Sequence, residues 1–319
     1  MAGLGLGYTL NPEEPLKATE KTGGKLRKAS SSRIATAAAF LIAAIWTIPT
    51  FGLFVSSFRE ANDIKTTGWW TALSNPSFTL ENYAQAFVSG DSLPLSKAFL
   101  NSLVITIPAA IIPIIIASLA AYAFAWINFK GRNTLFILVF ALQIVPIQMA
   151  LVPLLQMFSD GVKIGGLYIL PGLGVNGLDG AYAKVWIAHT IFALPLAIFM
   201  LHNFISEIPE EVIEAARVDG AGHGTIFTRI VLPLATPAIA SFGIFQFLWV
   251  WNDLLVATVF TSGGELPITK ALQDLSGSYG QSWELLTAGA FISMIIPLVV
   301  FFALQRFFVR GLLAGASKG

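Results

Sequence analysis

The residues of this sequence with the most chemical consequence are polar side chains set inside long apolar runs. Gln246, Trp249, Val250 and Asp253 fall on one stripe at helical spacing in the apolar stretch after Pro237, with Trp251 and Asn252 displaced around the helix. Gln143, Gln148 and His189 bring polar groups into two earlier apolar stretches. A polar group that faces hydrocarbon carries a desolvation penalty, so such residues turn inward, toward a solute pathway or a neighbouring helix. An amide or carboxylate bonds hydroxyl groups, and a flat aromatic ring covers the apolar C–H face of a pyranose. The combination suits an amphipathic ligand.

Each of these residues also has a purely structural explanation. Trp46 lies comparably deep in its own apolar run, where packing alone can explain it, and the same explanation is open for Trp249. A lone histidine such as His189 is more often packed and hydrogen-bonded than a ligand contact, glutamines glue membrane helices together, and Asp253 has a neighbour or the membrane interface as alternative company.

The second chemical feature is a charged stretch between two apolar runs, Ile208-Pro209-Glu210-Glu211-Val212-Ile213-Glu214-Ala215-Ala216-Arg217-Val218-Asp219-Gly220, continuing to Leu232-Pro233. Pro209 suits the first helical turn, and Glu210, Glu211 and Glu214 place negative charge near that turn's positive dipole end. Gly220 provides the left-handed residue that ends helices, and a second short helix is expected from about Thr225. Val212, Ala215, Ala216 and Ile208 define a shallow apolar face. Helices that lie on lipid headgroups usually carry Lys or Arg on the polar face; this one is acidic, which points to a protein partner.

The elements that must position these groups follow from hydropathy. With 55% hydrophobic residues, 12% charged residues and a mean hydropathy of +0.73, the 319-residue chain reads as an all-α integral membrane protein. Six spans are expected, at about 34–55, 101–126, 134–157, 183–204, 237–261 and 285–308, with Pro146 and Pro153 bending the third. Residues 1–33 read as a mobile polar tail, 34–308 as the membrane domain with the charged loop at about 205–235, and 309–319 as a C-terminal tail. Residues 56–97 read as an extramembrane loop with interfacial aromatics. An even number of spans leaves both termini on one side. That side, with the 128–133 turn and the charged loop, holds most of the 19 Lys and Arg residues, so the positive-inside rule makes it cytoplasmic.

Several function classes are excluded or disfavoured. The basic residues flank apolar spans and form no single face, which argues against nucleic-acid binding. No cysteine is present, and His189, His202 and His223 are too scattered for a metal site. No Gly-x-x-x-x-Gly-Lys-Ser/Thr loop occurs, so any ATP with its Mg²⁺ must be held by another chain. No Ser/His/Asp or paired-carboxylate arrangement suggests catalysis, and none of these residues is assigned a catalytic or cofactor-binding role.

Glu214-Ala215-Ala216, three residues, Gly220, nine residues, Ile230, one residue, Leu232-Pro233 resembles the EAA loop of binding-protein-dependent ABC importer permeases. Asp219-Gly220-Ala221, Phe78 to Tyr83, Asn101-Ser102-Leu103, Ala121-Tyr122-Ala123-Phe124, Phe129-Lys130-Gly131-Arg132 and Trp251-Asn252-Asp253 are similar to the carbohydrate-uptake branch. The ending Gly315-Ala316-Ser317-Lys318-Gly319 is similar to the second permease subunit of maltose-type systems, while Asp253 stands where related sequences often carry Glu.

The resemblance covers roughly residues 78 to 319 and implies a non-enzymatic, multi-pass subunit of the prokaryotic inner membrane. It implies that Glu214, Ala215, Ala216, Asp219 and Gly220 couple to the ATPase. The implied partners are a second permease subunit, two ABC ATPase subunits and an extracytoplasmic sugar-binding protein, with an oligosaccharide or glucoside as cargo. The rivals are an ion-coupled secondary carrier, which usually needs intramembrane titratable groups that these spans nearly lack, and a structural membrane protein with a docking loop.

Overall fold

The computed structural model describes residues 33–88, 93–170, 172, 181–261, 263–276 and 282–316. The expected N-terminal tail lies almost wholly outside them. Four long helices form the frame: α1 (Arg33–Ser57), α4 (Leu95–Trp126), α7 (Ala181–Ile205) and α13 (Trp283–Ala316). Between α1 and α4 lie the short helices α2 (Ala61–Thr66) and α3 (Glu81–Val88). Between α4 and α7 come α5 (Arg132–Ala141), α6 (Ile147–Asp160) and the antiparallel hairpin β1 (Val162–Ile164) and β2 (Leu167–Leu170). After α7 follow α8 (Glu210–Val218), α9 (His223–Ile226), α10 (Leu232–Trp251), α11 (Leu255–Phe260) and α12 (Ile268–Ser276).

Among the described residues five helical segments are long and apolar enough to cross a membrane: α1, α4, α7, the rod from His223 to Trp251, and α13. A sixth, Arg132–Ile144 with Ile147–Asp160, is bent by 105°. Pro146 has no N–H to offer the preceding turn, and it forces Val145 out of the helical region to φ −71°, ψ 119°. The bend expected at Pro146 is therefore a break, whereas Pro153 stays inside α6.

The core sits where α4 packs along α7, with α10 against both and α13 behind α10. Small buried residues make the approach possible: Ala109, Ala117 and Ala121 on α4, and Ala188, Ala193 and Ala197 on α7. Membrane helices pack closely through such residues, because lipid supplies no hydrophobic drive between them. Pro108 and Pro113 remain inside α4, and Pro195 inside α7, which a packed membrane bundle tolerates. By contrast α1 is exposed over nearly its whole length, Trp46 included, so packing within this chain does not explain that residue.

The 56–97 segment is more ordered than a loop with interfacial aromatics. Arg59 is buried and its Nη2 donates to Thr67 Oγ1 at 2.5 Å, Thr71 Oγ1 at 3.2 Å and the Asp63 carbonyl at 3.3 Å. Asn82 Nδ2 donates to the carbonyls of Ser57 and Arg59, and Ser77 Oγ donates to the Asp63 carboxylate. Neutral oxygens gathered around the buried Arg59 Nη2, with the Asn82 and Ser77 bonds, hold this segment as a folded cap by the ends of α1 and α4, while Arg59 Nε is left without a hydrogen-bond partner among the described residues. The final helix runs to Ala316, so most of the expected C-terminal tail is helical.

Candidate coupling loop and transport path

The charged loop is built on a short helix with one face packed on the core. Pro209 caps α8 from the position just before its first residue, with Glu210 and Glu211 in the first turn. At the other end the Gly220 N–H donates to the Arg217 carbonyl and the Ala221 N–H to the Ala216 carbonyl, at 3.0 and 2.9 Å. With Gly220 at φ +81° this is a Schellman cap, in which a left-handed residue returns two amides to the last turn.

The apolar face expected to meet a partner is divided between two sides of α8. Ile208, Ile213 and Ala216 are buried in the core, while Val212 and Ala215 look outward. Residues three apart, Val212, Ala215 and the 87% exposed Val218, therefore form an outer apolar strip beside exposed Glu211, Glu214 and Asp219. The expected separate helix at Thr225 is also revised. Helix α9 starts at His223 and passes through a π-helical turn, Phe227–Val231, into α10 without a break. Pro237 thus lies inside a 29-residue rod instead of opening a span.

Residues that the sequence reading did not single out fasten this loop to the end of α4. Arg217 Nη2 donates to the Trp126 carbonyl at 3.2 Å, Trp126 Nε1 donates to the Ile205 carbonyl at 3.3 Å, and the Tyr122 hydroxyl meets His223 Nδ1 at 2.9 Å. These partners are about 80 to 100 residues apart in sequence, and no local spacing reveals them.

Within the bundle, Gln246, His189 and Trp249 come together. They line one small pocket of about 10 Å³, whose other walls include Ile147 and Phe192. Gln246 is 2% exposed and His189 4%. Gln246 Nε2 donates to the Ala109 carbonyl at 3.3 Å, and this fixes the amide: a carbonyl only accepts, so Oε1 is the atom left over. Gln246 Oε1 and His189 Nε2 are both buried without a hydrogen-bond partner among the described residues. Asp253 lies nearby, its Oδ2 3.5 Å from His189 Nε2.

Asp253 does not continue the stripe of α10. The helix stops at Trp251, and the Asp253 carboxylate accepts the N–H groups of Val256 and Ala257 at 3.2 and 2.7 Å, capping α11. Val250 is buried in the core, and Trp251 is also buried, donating Nε1 to the Ser293 carbonyl. Asn252 is exposed and closes the end of α10 by donating to the Leu248 carbonyl at 2.8 Å. The expected stripe therefore reduces to Gln246 and Trp249, joined by His189 from α7.

Gln143 sits on the break between α5 and α6 and lines a second pocket of about 200 Å³. Ile147 and Phe192 line both pockets, so the two adjoin. Gln148 is exposed on α6 and lines neither. The broken span thus brings an open, mostly apolar hollow against a small polar notch. This is the arrangement expected where irregular backbone lines a cavity inside a membrane protein.

A bundle of long apolar helices with a capped, charged helix between two of them defines a class, a multi-pass membrane protein. Residues 113–313 match the family described as binding-protein-dependent transport system inner membrane component, and the chain belongs to that family. It is 52% identical over 283 residues to the osmoprotective compounds uptake permease protein GgtD of Synechocystis sp., covering 87% of this chain and 89% of that one. It is 50% identical over 271 residues to the alpha-glucoside transport system permease protein AglG of Rhizobium meliloti, covering 82% and 68%. The melibiose/raffinose/stachyose import permease protein MelC of Bacillus subtilis is 32% identical, over 92% and 99%. A bacterial ABC transporter that imports the acidic polysaccharide alginate shares the fold, with a TM-score of 0.62 at 17% identity, over 90% of this chain and 99% of the other.

Proposed function

We propose that this chain is the second permease subunit of an ATP-driven sugar importer, one that carries an oligosaccharide or a glucoside. It crosses the inner membrane six times, counting the bent pair as one span, and both termini and the EAA loop face the cytoplasm. Glu214, Ala215, Ala216, Asp219 and Gly220 transmit ATP-driven motion from a partner ATPase, which holds ATP and Mg²⁺. A second permease completes the pathway, and an extracytoplasmic binding protein delivers the sugar.

The observation that carries this reading is the outer strip of α8. An apolar and acidic face, Val212, Ala215 and Val218 beside Glu211 and Glu214, is held outward by a Schellman cap and by side-chain bonds to α4. A helix pinned on one face and bare on the other is suited to docking in a groove of a partner. The sugar cargo is supported by the relatives named for glucoside and raffinose-type transport, and by the amide and aromatic groups of the notch. Family membership speaks against an ion-coupled carrier.

The test is stimulation of ATP hydrolysis in the assembled complex by a panel of sugars, amino acids and metal ions, each presented with its binding protein. Stimulation by glucosides or oligosaccharides is expected. A response to amino acids or metals alone rejects the substrate assignment.

A further inference from the structure

The notch between α7 and α10 contains two buried polar atoms, Gln246 Oε1 and His189 Nε2, with no hydrogen-bond partner among the described residues, the second of them within ion-pair reach of Asp253. Gln246 Oε1 can only accept a hydrogen bond, and its orientation is set by the bond from Nε2 to the Ala109 carbonyl. His189 Nε2 lies 3.5 Å from the Asp253 carboxylate, which favours the tautomer that carries its proton on Nε2. A buried unpartnered acceptor is costly, and one beside a buried unpartnered nitrogen in the same notch calls for a group that both donates and accepts. A hydroxyl is that group. The pocket volume of about 10 Å³ admits one oxygen-sized group and no more.

The surroundings distinguish the two sources of a hydroxyl. A water would suffice for a closed cavity, but the notch adjoins the hollow of about 200 Å³ beside the broken span, and Trp249 forms part of its wall. A sugar ring in that hollow can present one hydroxyl to the notch while its C–H face lies on apolar and aromatic walls.

We infer that Gln246, His189 and Trp249 form a hydroxyl-reading subsite of the transport path: Gln246 Oε1 accepts from one sugar hydroxyl, His189 Nε2 donates to it, and Trp249 walls it. This rests on the sugar-import reading above. Asp253 is a positioning residue, since its carboxylate is engaged by the amides of α11 and reaches the hydroxyl only through His189.

The test uses the whole complex in proteoliposomes, with maltose, sucrose or trehalose, whichever the wild type imports fastest, and the set of its monodeoxy analogues. Uptake of each analogue relative to the parent sugar is compared between wild type and Gln246→Met. The binding protein's own preferences enter both ratios equally and cancel. At one ring position, wild type should disfavour the deoxy analogue about three- to tenfold more strongly than Gln246→Met does, the scale of one neutral hydrogen bond. If Gln246→Met does not assemble, His189→Gln carries the same comparison. If a variant slows all analogues equally and every discrimination ratio matches wild type, the notch holds only water and the subsite is refuted, while sugar import stands. If wild type imports no sugar, both readings fall.

Discussion

Gly220 is the residue whose replacement separates docking from transmission. Its φ of +81° lies in the left-handed region, and a Cβ built there would meet no atom of the described residues within 4 Å. The cost of a side chain is therefore purely local, about 1–2 kcal/mol for an ordinary L-residue and more for a β-branched one. Relieving it means leaving the left-handed region, which breaks the bonds from Gly220 N–H to Arg217 and from Ala221 N–H to Ala216. The last turn of α8 then frays, and the seat of Ala216 in the core shifts. A penalty of this size changes the population of correctly aimed loop by roughly 5- to 30-fold. We expect ATP-driven uptake to fall several-fold in Gly220→Ala and to fail in Gly220→Val. Gly220→Asn should retain most activity, because Asn enters the left-handed region several-fold more readily than other residues. All three variants should still co-purify with the ATPase. Normal uptake by Gly220→Val, or an Asn variant as damaged as Val, would refute the reasoning.

Three further variants probe the rest of the account. Glu214 is exposed, so Glu214→Ala should leave the membrane fold intact while weakening association with the ATPase by about 1.5–3 kcal/mol, read as loss of co-purification. Asn101 donates to the carbonyls of Gly264 and Leu266 and accepts from the Tyr182 hydroxyl, so Asn101→Leu should cost about 1–3 kcal/mol and lower the thermal midpoint of the purified complex. A Cβ at Gly52 would stand 2.7 Å from the Trp69 ring, and overpacking there in Gly52→Val should cost about 1–3 kcal/mol, again read as a lower thermal midpoint.

Much of the architecture was legible because lipid imposes long apolar runs, and the loop was legible because Gly220 and the acidic first turn are local signals. What escaped the sequence was set by contacts between distant residues. Pro146 announces a disturbance, but a break of 105° depends on neighbouring helices that accept the freed backbone. Pro237 looks like a helix start, yet the rod from His223 runs through it, with a π-helical turn just upstream. Asp253 shares the spacing of Gln246 and Trp249, and only the end of α10 at Trp251 reveals it as the cap of α11. The expected partner face of α8 is divided, because Ile208 and Ala216 join Ile213 in the core while Val212 and Ala215 stay outside, a division made by the core the helix meets. Arg59 gave no hint of burial, since its partners Thr67 and Thr71 are ordinary loop residues until the cap folds.

The central claim is that this chain moves sugar only when a partner hydrolyses ATP. It is tested most directly by uptake of labelled glucosides and oligosaccharides into proteoliposomes that contain this chain, the second permease and the ATPase, with the binding protein supplied outside. The account predicts uptake that needs every component, stops without ATP and Mg²⁺, and ignores proton or sodium gradients. Uptake driven by an ion gradient in the absence of ATP, or appreciable ATP hydrolysis by this chain purified alone, would contradict it.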